Sequence, residues 1–237
     1  MVRALSYAPP PSLIGFMTST PFIVPYCDRP INIIYADDAI VTVDKPYGLL
    51  SVPGRDPANR DCVPSRLHSE FGTLLIVHRL DLDTSGVMIF ARTPEAHRHL
   101  NRQFEKRETE KFYEALVWGL PAQDEGSIDL PICVDWPNRP RKIIDYVNGK
   151  NALTHYRVLQ RDAERNISRL ELQPITGRSH QLRVHLAEIG HPILGCPFYA
   201  HEQAKQAFHR LTLHARQLQL THPLSGERMT FSAPTPF

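Results

Sequence analysis

The stretch HRLDLDTSG, residues 78–86, sets an arginine and two carboxylates directly behind an apolar run at 73–77. Asp, Thr, Ser and Gly are common turn residues, so one interpretation is a plain polar turn. The other interpretation is a catalytic carboxylate, Asp81 or Asp83, held at the end of a buried strand. Other segments of the sequence distinguish between these two interpretations.

The spacing of Asp81, Asp83 and Thr84 is similar to that of the haloacid-dehalogenase phosphotransferases. In that reading the first aspartate attacks phosphorus and the pair binds Mg²⁺. Arg79 is awkward beside a magnesium site, and the acidic pair at 37–38 lies on the wrong side of the motif. A short motif also produces many accidental matches. A magnesium-dependent phosphotransferase therefore stays open only as an alternative.

A second segment, residues 174–195, concentrates polar and basic side chains around one predicted helix start: Arg178, His180, Gln181, Arg183 and His185. Cations at a helix N-terminus oppose the helix dipole, so they are poor choices for stability alone. They suit an anionic partner, either a phosphate or a carboxylate such as Asp81. The plainer alternative is a solvated basic helix.

Composition limits the class of protein. The formal net charge of the 237 residues is only +2, so a nucleic-acid surface would have to be a local patch. The four cysteines, at positions 27, 62, 133 and 196, have neither zinc-ligand spacing nor a disulfide pattern. This pattern fits a reducing cytosol, and we expect a cytoplasmic protein without a structural metal.

Residues 4–27 carry no charge, but prolines interrupt them at positions 9, 10, 11, 21 and 25. A membrane-spanning helix would lose backbone hydrogen bonds at these prolines, and a signal peptide would need an unbroken apolar run. We therefore expect no membrane association. We predict a disordered or loosely docked tail over residues 1–25 and one domain over residues 26–237.

The periodicity of the remaining chain predicts many strands and few helices. Alternating or β-branched runs predict strands on both sides of a turn at 36–38, and at 73–77, 85–93, 111–119, 152–160, 167–174, 210–223 and 228–234. Helix signals predict helices at 62–70, 94–107 and 180–189, and Lys45 to Asp56 is predicted as loop. Thr93 and Ser179 are the predicted caps of the second and third helices. The predicted fold is α+β, a mixed, mainly antiparallel sheet with flanking helices.

Four segments together resemble one enzyme family. They are the stretch HRLDLDTSG, the loop DKPYGLLSVPG at 44–54, the strand KFYEALVWG at 111–119 and the segment GRSHQLRVH at 177–185. In this order they are similar to the RluA-type pseudouridine synthases, and the resemblance covers residues from about 30 to 237. The stretch DWPNRP at 135–140, with no S4 RNA-binding domain before the motifs, resembles the short, dual-specificity subgroup.

The resemblance implies an isomerase that breaks the N1–C1′ bond of a uridine, rotates the base and rejoins it through C5. No cofactor and no metal are expected. Asp81 is the implied catalytic carboxylate, Arg183 its partner, and Tyr113 the ring that packs on the base and helps to deprotonate C5. Asp83 stands at a variable family position and is assigned to the turn.

The resemblance also implies a structured RNA partner, namely a uridine in 23S rRNA, a uridine in a tRNA anticodon stem-loop, or both. Arg79 would enter the base stack as the uridine flips out. The other expected substrate-binding residues are His78, Lys45, Arg178, His180 and Gln181. Cations of the helix at 94–107 and of residues 138–142 would extend the RNA surface. We expect a monomer, and an inactive RNA-binding module remains a further alternative.

Overall fold

The computed structural model describes residues 22–237. The predicted tail lies outside the described residues as far as position 21. Its last residues are held by one side chain, because Asn59 Nδ2 donates to the carbonyl of Phe22 and Asn59 Oδ1 accepts from the amide of Val24, both at 2.8 Å.

A ten-stranded sheet forms the centre of the molecule, in the order β1-β2-β4-β11-β5-β10-β9-β6, with β3 beside β4 and β12 beside β11. Its strands are β1 (Asn32–Ala36), β2 (Ile40–Lys45), β3 (Leu75–Ile76), β4 (Ser85–Ala91), β5 (Glu110–Trp118), β6 (Glu125–Asp129), β9 (Leu153–Asp162), β10 (Ile167–Pro174), β11 (Leu213–Thr221) and β12 (Arg228–Ser232). Only β4 and β11 run parallel among these pairs. The predicted α+β class with a mainly antiparallel sheet is confirmed.

A separate two-stranded ribbon, four α-helices and one short 3-10 helix (Pro57–Asn59) complete the described part of the chain. The ribbon consists of β7 (Ile132–Val134) and β8 (Lys142–Ile144). The helices are α1 (Val63–Phe71), α2 (Pro94–Lys106), α3 (Gln181–Glu188) and α4 (Glu202–Gln206). The sequence patterns missed β6, β7, β8 and α4, which are short and lie among prolines and polar residues.

Alternate residues of β2 and β4 face two different cores. Val43 and Met88 belong to the core under α1, whereas Ile40 and Ile89 belong to the core under α2. A strand buried on both faces is a continuous apolar run, which is why β4 has no polar alternation. A third core, under α3, lies on the same sheet face as α1, since Tyr113 packs against both.

The predicted cap of α2 is confirmed, and that of α3 is wrong. Thr93 Oγ1 accepts a hydrogen bond from the amide of Ala96 at 3.1 Å. Helix α3 begins at Gln181, one residue later than predicted, and its capping residue is His180, whose φ of 59° is left-handed. Ser179 makes no capping bond there, because the left-handed turn at His180 redirects the chain before the helix starts.

The central strands bring distant segments to one place. Gly86 of β4 is paired with Ala215 of β11, which is paired with Tyr113 of β5, which is paired with Leu172 of β10. The chain entering β4 and the chain leaving β10 therefore lie close to Tyr113. Gly86 permits this arrangement: its φ is +114°, and a Cβ there would lie 2.3 Å from the carbonyl oxygen of Ala215.

Candidate active site

The loop at 78–84 is fixed to the sheet by its first residue. His78 Nε2 accepts a hydrogen bond from the backbone amide of Ile89 at 3.1 Å, which continues the pairing of β3 with β4 by a side chain. The imidazole stacks on Phe104 with ring centroids 4.8 Å apart. Burial lowers the pKa of His78 to about 3, with Lys111 adding to the effect. At neutral pH the ring is therefore an uncharged acceptor that positions the loop.

A buried lysine holds the same loop from the other side. The Lys45 side chain is inaccessible to solvent, and its Nζ donates to the carbonyls of Pro46 at 2.9 Å, Leu49 at 2.8 Å and Leu82 at 3.1 Å. Burial lowers the pKa of Lys45 to about 7. The expected substrate contact needs a correction: Lys45 does not line the cavity described below, and its donors are used within the fold.

Asp81 and Arg183 form the ion pair that the sequence predicted, although they are 102 positions apart. Arg183 Nη1 donates to Asp81 Oδ2 at 3.1 Å, and Arg183 Nε donates to the sulfur of Cys196 at 3.4 Å. The guanidinium is 2% exposed and the aspartate side chain 21%. Burial opposes the charge of Arg183, but Cys196 and Asp81 outweigh it and raise its pKa. Nη2 is buried and has no hydrogen-bond partner in residues 22–237.

His180 reaches Asp81 from the left-handed turn before α3. Its Nε2 lies 3.7 Å from Asp81 Oδ2, and its Nδ1 lies 2.6 Å from the hydroxyl of Tyr199. Burial lowers the pKa of His180 to about 4, so at neutral pH the ring is uncharged and the contact is not an ion pair.

The tautomer of His180 follows from its neighbours. The Tyr199 hydroxyl accepts from the backbone amide of Lys142 at 2.8 Å and keeps its proton, since burial raises its pKa to about 12. That proton points to His180 Nδ1, the acceptor beside it. The imidazole hydrogen is then on Nε2, facing Asp81. Tyr199 and His180 thus connect the β8 backbone to the carboxylate, and sequence reasoning did not identify Tyr199.

Gln181 holds the segment before α3 through hydrogen bonds of its side-chain amide. Its Oε1 accepts from the hydroxyl of Thr176 at 2.7 Å and the amide of Arg178 at 3.0 Å. Its Nε2 donates to the carbonyl of Leu153 and the hydroxyl of Thr154, both at 3.0 Å. The buried amide is fully hydrogen-bonded within the protein, so its role is to position the turn that carries Arg178 and His180.

Several of the residues described above line a cavity of about 610 Å³, here called the catalytic cavity. Asp81, Tyr113, His180 and Arg183 line it together with His78, Arg79, Arg107, Lys111, Arg178 and Gln181. Arg79 is exposed and makes no hydrogen bond or ion pair to any residue from 22 to 237. The volume is in the range of sites that bind a small ligand or a single nucleotide.

Sequence reasoning missed Lys111. It stands two positions before Tyr113 on β5, so both side chains project from the same face of the strand. Burial and the nearby Arg107 lower the pKa of Lys111 to about 8, which leaves it largely charged at neutral pH. The two-residue period of the strand would have indicated Lys111, because side chains two positions apart lie on the same face and Tyr113 was already assigned to the site.

Tyr113 lies against Asp81 in the wall of the catalytic cavity. Burial and the charge of Asp81 raise the pKa of Tyr113 well above its ordinary value. The phenol therefore keeps its proton well beyond neutral pH.

The magnesium-dependent phosphotransferase interpretation needs Asp83 beside Asp81 and a set of metal ligands. Asp83 does not line the catalytic cavity, so it does not face a ligand there beside Asp81. Within residues 22–237, no three His, Cys, Asp or Glu side chains are grouped as metal ligands would be. In the same part of the chain, no helix is long and apolar enough to cross a membrane.

Comparison with known proteins gives a consistent result. The family described as RNA pseudouridylate synthase matches residues 39–188. The chain is 54% identical to "Dual-specificity RNA pseudouridine synthase RluA" of Yersinia pestis, over 86% of this chain and 99% of the relative. It is 51% identical to the protein of that name from Escherichia coli strain K12, over 86% and 93%.

Solved structures agree with this match. The structure of "Human RNA Pseudouridylate Synthase Domain Containing 1" superposes with a TM-score of 0.76 at 26% identity, covering 90% of this chain and 86% of that chain. "Human RNA Pseudouridylate Synthase Domain Containing 4" gives 0.69 at 29% identity, covering 86% and 88%.

Proposed function

Because the chain belongs to the RNA pseudouridylate synthase family, we propose that the catalytic cavity is where it isomerises uridine in RNA, with Asp81 as the catalytic carboxylate. The observation that carries the assignment is the contact of Asp81 with the buried Arg183 at 3.1 Å, at the wall of a cavity large enough for a nucleotide. Membership of the family makes the protein an RNA-modifying isomerase and excludes the phosphotransferase interpretation.

The reaction exchanges one glycosidic bond for another without a net oxidation. The N1–C1′ bond breaks, the C5–C1′ bond forms, C5 loses a proton and N1 gains one. An ionised carboxylate is the group that can attack or stabilise the electron-poor carbon during the exchange. Asp81 is supported in this role by its place beside His180 and Arg183, which hold one of its oxygens and leave the other for the substrate.

The surrounding residues support distinct roles. The unpartnered Nη2 of Arg183 is suited to an oxygen of the nucleotide. Tyr113 is suited to pack on the uracil ring, and Arg79 to occupy the gap that the flipped uridine leaves. Arg107, Lys111 and Arg178 provide positive charge for the phosphates that flank it. His78, Lys45 and Gln181 are assigned to positioning rather than to direct contact.

We propose that 23S rRNA and a tRNA anticodon stem-loop are both substrates. The support is the similarity over nearly the full length of relatives named as dual-specificity RNA pseudouridine synthases. We further propose that the chain acts as a cytoplasmic monomer. All four cysteines are unpaired, which suits a reducing compartment.

The test is the pair of substitutions Asp81→Asn and Asp83→Asn, which remove the same charge two positions apart. With stem-loop RNA tritiated at C5, the wild type and Asp83→Asn should release tritium. Asp81→Asn should release none above background, while its RNA affinity stays within a few-fold, since phosphate contacts elsewhere supply the binding. Substantial release by Asp81→Asn would refute the assignment, and loss of release in Asp83→Asn alone would move the role to that residue.

A further inference from the structure

We propose that a second cavity, beside the catalytic one, binds another base of the same RNA strand, one that neighbours the target uridine and stacks on Trp136. The inference rests on the proposed function, because it assumes that the substrate is a nucleotide held at Asp81. The second cavity, here called the ribbon cavity, has a volume of about 770 Å³ and is lined mainly by the β7–β8 ribbon and the loop that joins its strands.

The two cavities share a wall. Gly177, Arg178 and Ser179 line both the catalytic cavity and the ribbon cavity. A strand whose uridine occupies the first cavity therefore passes the entrance of the second within a short length of backbone. This adjacency selects a neighbouring nucleotide of the same strand as the occupant, rather than an unrelated small molecule.

An exposed aromatic ring lines the ribbon cavity. Trp136 is 65% exposed, although tryptophan is a large apolar residue that is usually well buried. The guanidinium of Arg139 lies 3.4 Å from the ring centroid. Arg139 does not line the cavity, whereas Trp136 does. The part of the indole that lines the cavity is therefore not covered by the arginine. An open indole is a stacking surface for any base.

The loop that carries Trp136 is ordered before any ligand binds. Asp135 and Arg141 close it with a backbone hydrogen bond of 3.1 Å, and Asn138 is bonded to Asp135 through its backbone at 3.1 Å and its side chain at 3.0 Å. A ring held out by an ordered turn loses little freedom when a base stacks on it, so the stacking energy is retained as affinity.

The charges around the ribbon cavity suit a nucleotide. Lys142, Lys150 and Arg178 line it, and neither lysine ammonium has a hydrogen bond or ion pair within residues 22–237. The two acidic lining residues are occupied locally: Asp135 accepts from the Asn138 side chain, and Asp145 accepts from the amides of its own turn. The three cations exceed the two carboxylates by one, so the net formal charge of the lining has the sign that phosphate requires.

Fluorescence gives a direct test, because the chain contains only two tryptophans. In a Trp118→Phe protein, Trp136 is the single emitter, and residue 118 lies outside both cavities. Titration with a stem-loop RNA that the protein modifies should quench this emission by half or more. Removal of one base next to the target, as an abasic nucleotide, should abolish the quenching. Unchanged emission while the RNA binds would overturn the proposal.

Affinity provides an independent measurement. Trp136→Ala should weaken RNA binding by roughly 5- to 100-fold, the range expected for loss of one base–aromatic stack. Trp136→Phe should retain most of the affinity. The matched control is Tyr146→Ala, which removes a 78% exposed aromatic of the turn after β8 that does not line the cavity and should change the affinity less than twofold.

Combining protein and RNA changes separates this proposal from the proposed function. With the abasic RNA, Trp136→Ala should bind no more weakly than the wild type, because the stacking partner is already absent. Additive losses at every abasic position would overturn the second site, even if uridine is modified normally. Absence of pseudouridine with every RNA tested would instead refute the proposed function.

Discussion

Replacing Lys45 by Met tests whether a buried ammonium fastens the catalytic loop. The substitution keeps most of the side-chain volume but removes three hydrogen bonds to the carbonyls of Pro46, Leu49 and Leu82. Leu82 immediately follows Asp81, so the loop should lose its anchor at the catalytic carboxylate. We expect kcat to fall about tenfold, equivalent to one hydrogen bond to a charged group. RNA affinity should stay within twofold, because Lys45 does not reach the substrate.

The stability of the two proteins should diverge with pH. The pKa of Lys45 is lowered from 10.5 to about 7 in the folded chain by burial. Below about pH 7 both the folded and the unfolded chain carry the proton, and the cost of burying the charge is present in full. Between pH 7 and 10 the unfolded chain binds one more proton than the folded chain. Wild-type stability therefore rises relative to Lys45→Met, by about 1.4 kcal/mol per pH unit.

The measurement is urea denaturation of both proteins at pH 7.5 and 9.5, followed by fluorescence. The difference in unfolding free energy should change by about 2–3 kcal/mol in favour of the wild type. Lys111, with a pKa of about 8, titrates in the same range but is present in both proteins, so its contribution cancels. Parallel pH profiles would show that Lys45 keeps an ordinary pKa in the fold. A weaker RNA affinity with a smaller salt dependence would instead show that Lys45 contacts phosphate.

Two further substitutions test residues that position the site without lining the catalytic cavity. Tyr199→Phe removes the donor to His180 Nδ1, so kcat should fall about tenfold while unfolding in urea shows a loss of about 1–2 kcal/mol; an unchanged kcat would mean that the His180 tautomer does not matter. Gly86→Ala sets a Cβ 2.3 Å from the Ala215 carbonyl at a φ of +114°, and should lower the unfolding free energy by about 3 kcal/mol or more. Wild-type stability of that variant would refute the close strand contact.

The sequence predicted the elements that have strong local signals. Thr93 with Pro94 predicted the start of α2, and two alternating runs predicted the strands β9 and β10, which the structure pairs antiparallel. The sequence patterns did not predict the ribbon of β7 and β8, because strands of three residues give no measurable period. Its position next to the site depends on long-range packing, which local patterns do not encode.

The sequence predicted the catalytic ion pair of the site better than it predicted which polar residues are hydrogen-bonded within the fold. The pairing of Asp81 with Arg183 came from motif resemblance and is present in the structure. Lys45 and Gln181 were expected to contact substrate, because their polar ends suit RNA equally well. Whether such an end points into a cavity or toward backbone carbonyls depends on burial, and residue type alone does not reveal burial.

The parallel pairing of β4 with β11 has a consequence for synthesis of the protein. Ser85 and His214, bonded to each other at 2.9 Å, are separated by 129 positions. At roughly 5–20 residues per second, a ribosome needs about 6–26 s to make the second strand after the first. During that interval the edge of β4 that pairs with β11 has no partner strand, and β4 is apolar from Gly86 to Ala91. Modification of RNA therefore requires the nearly finished chain, because a product that ends before residue 183 keeps Asp81 but lacks both Arg183, its ion-pair partner, and β11.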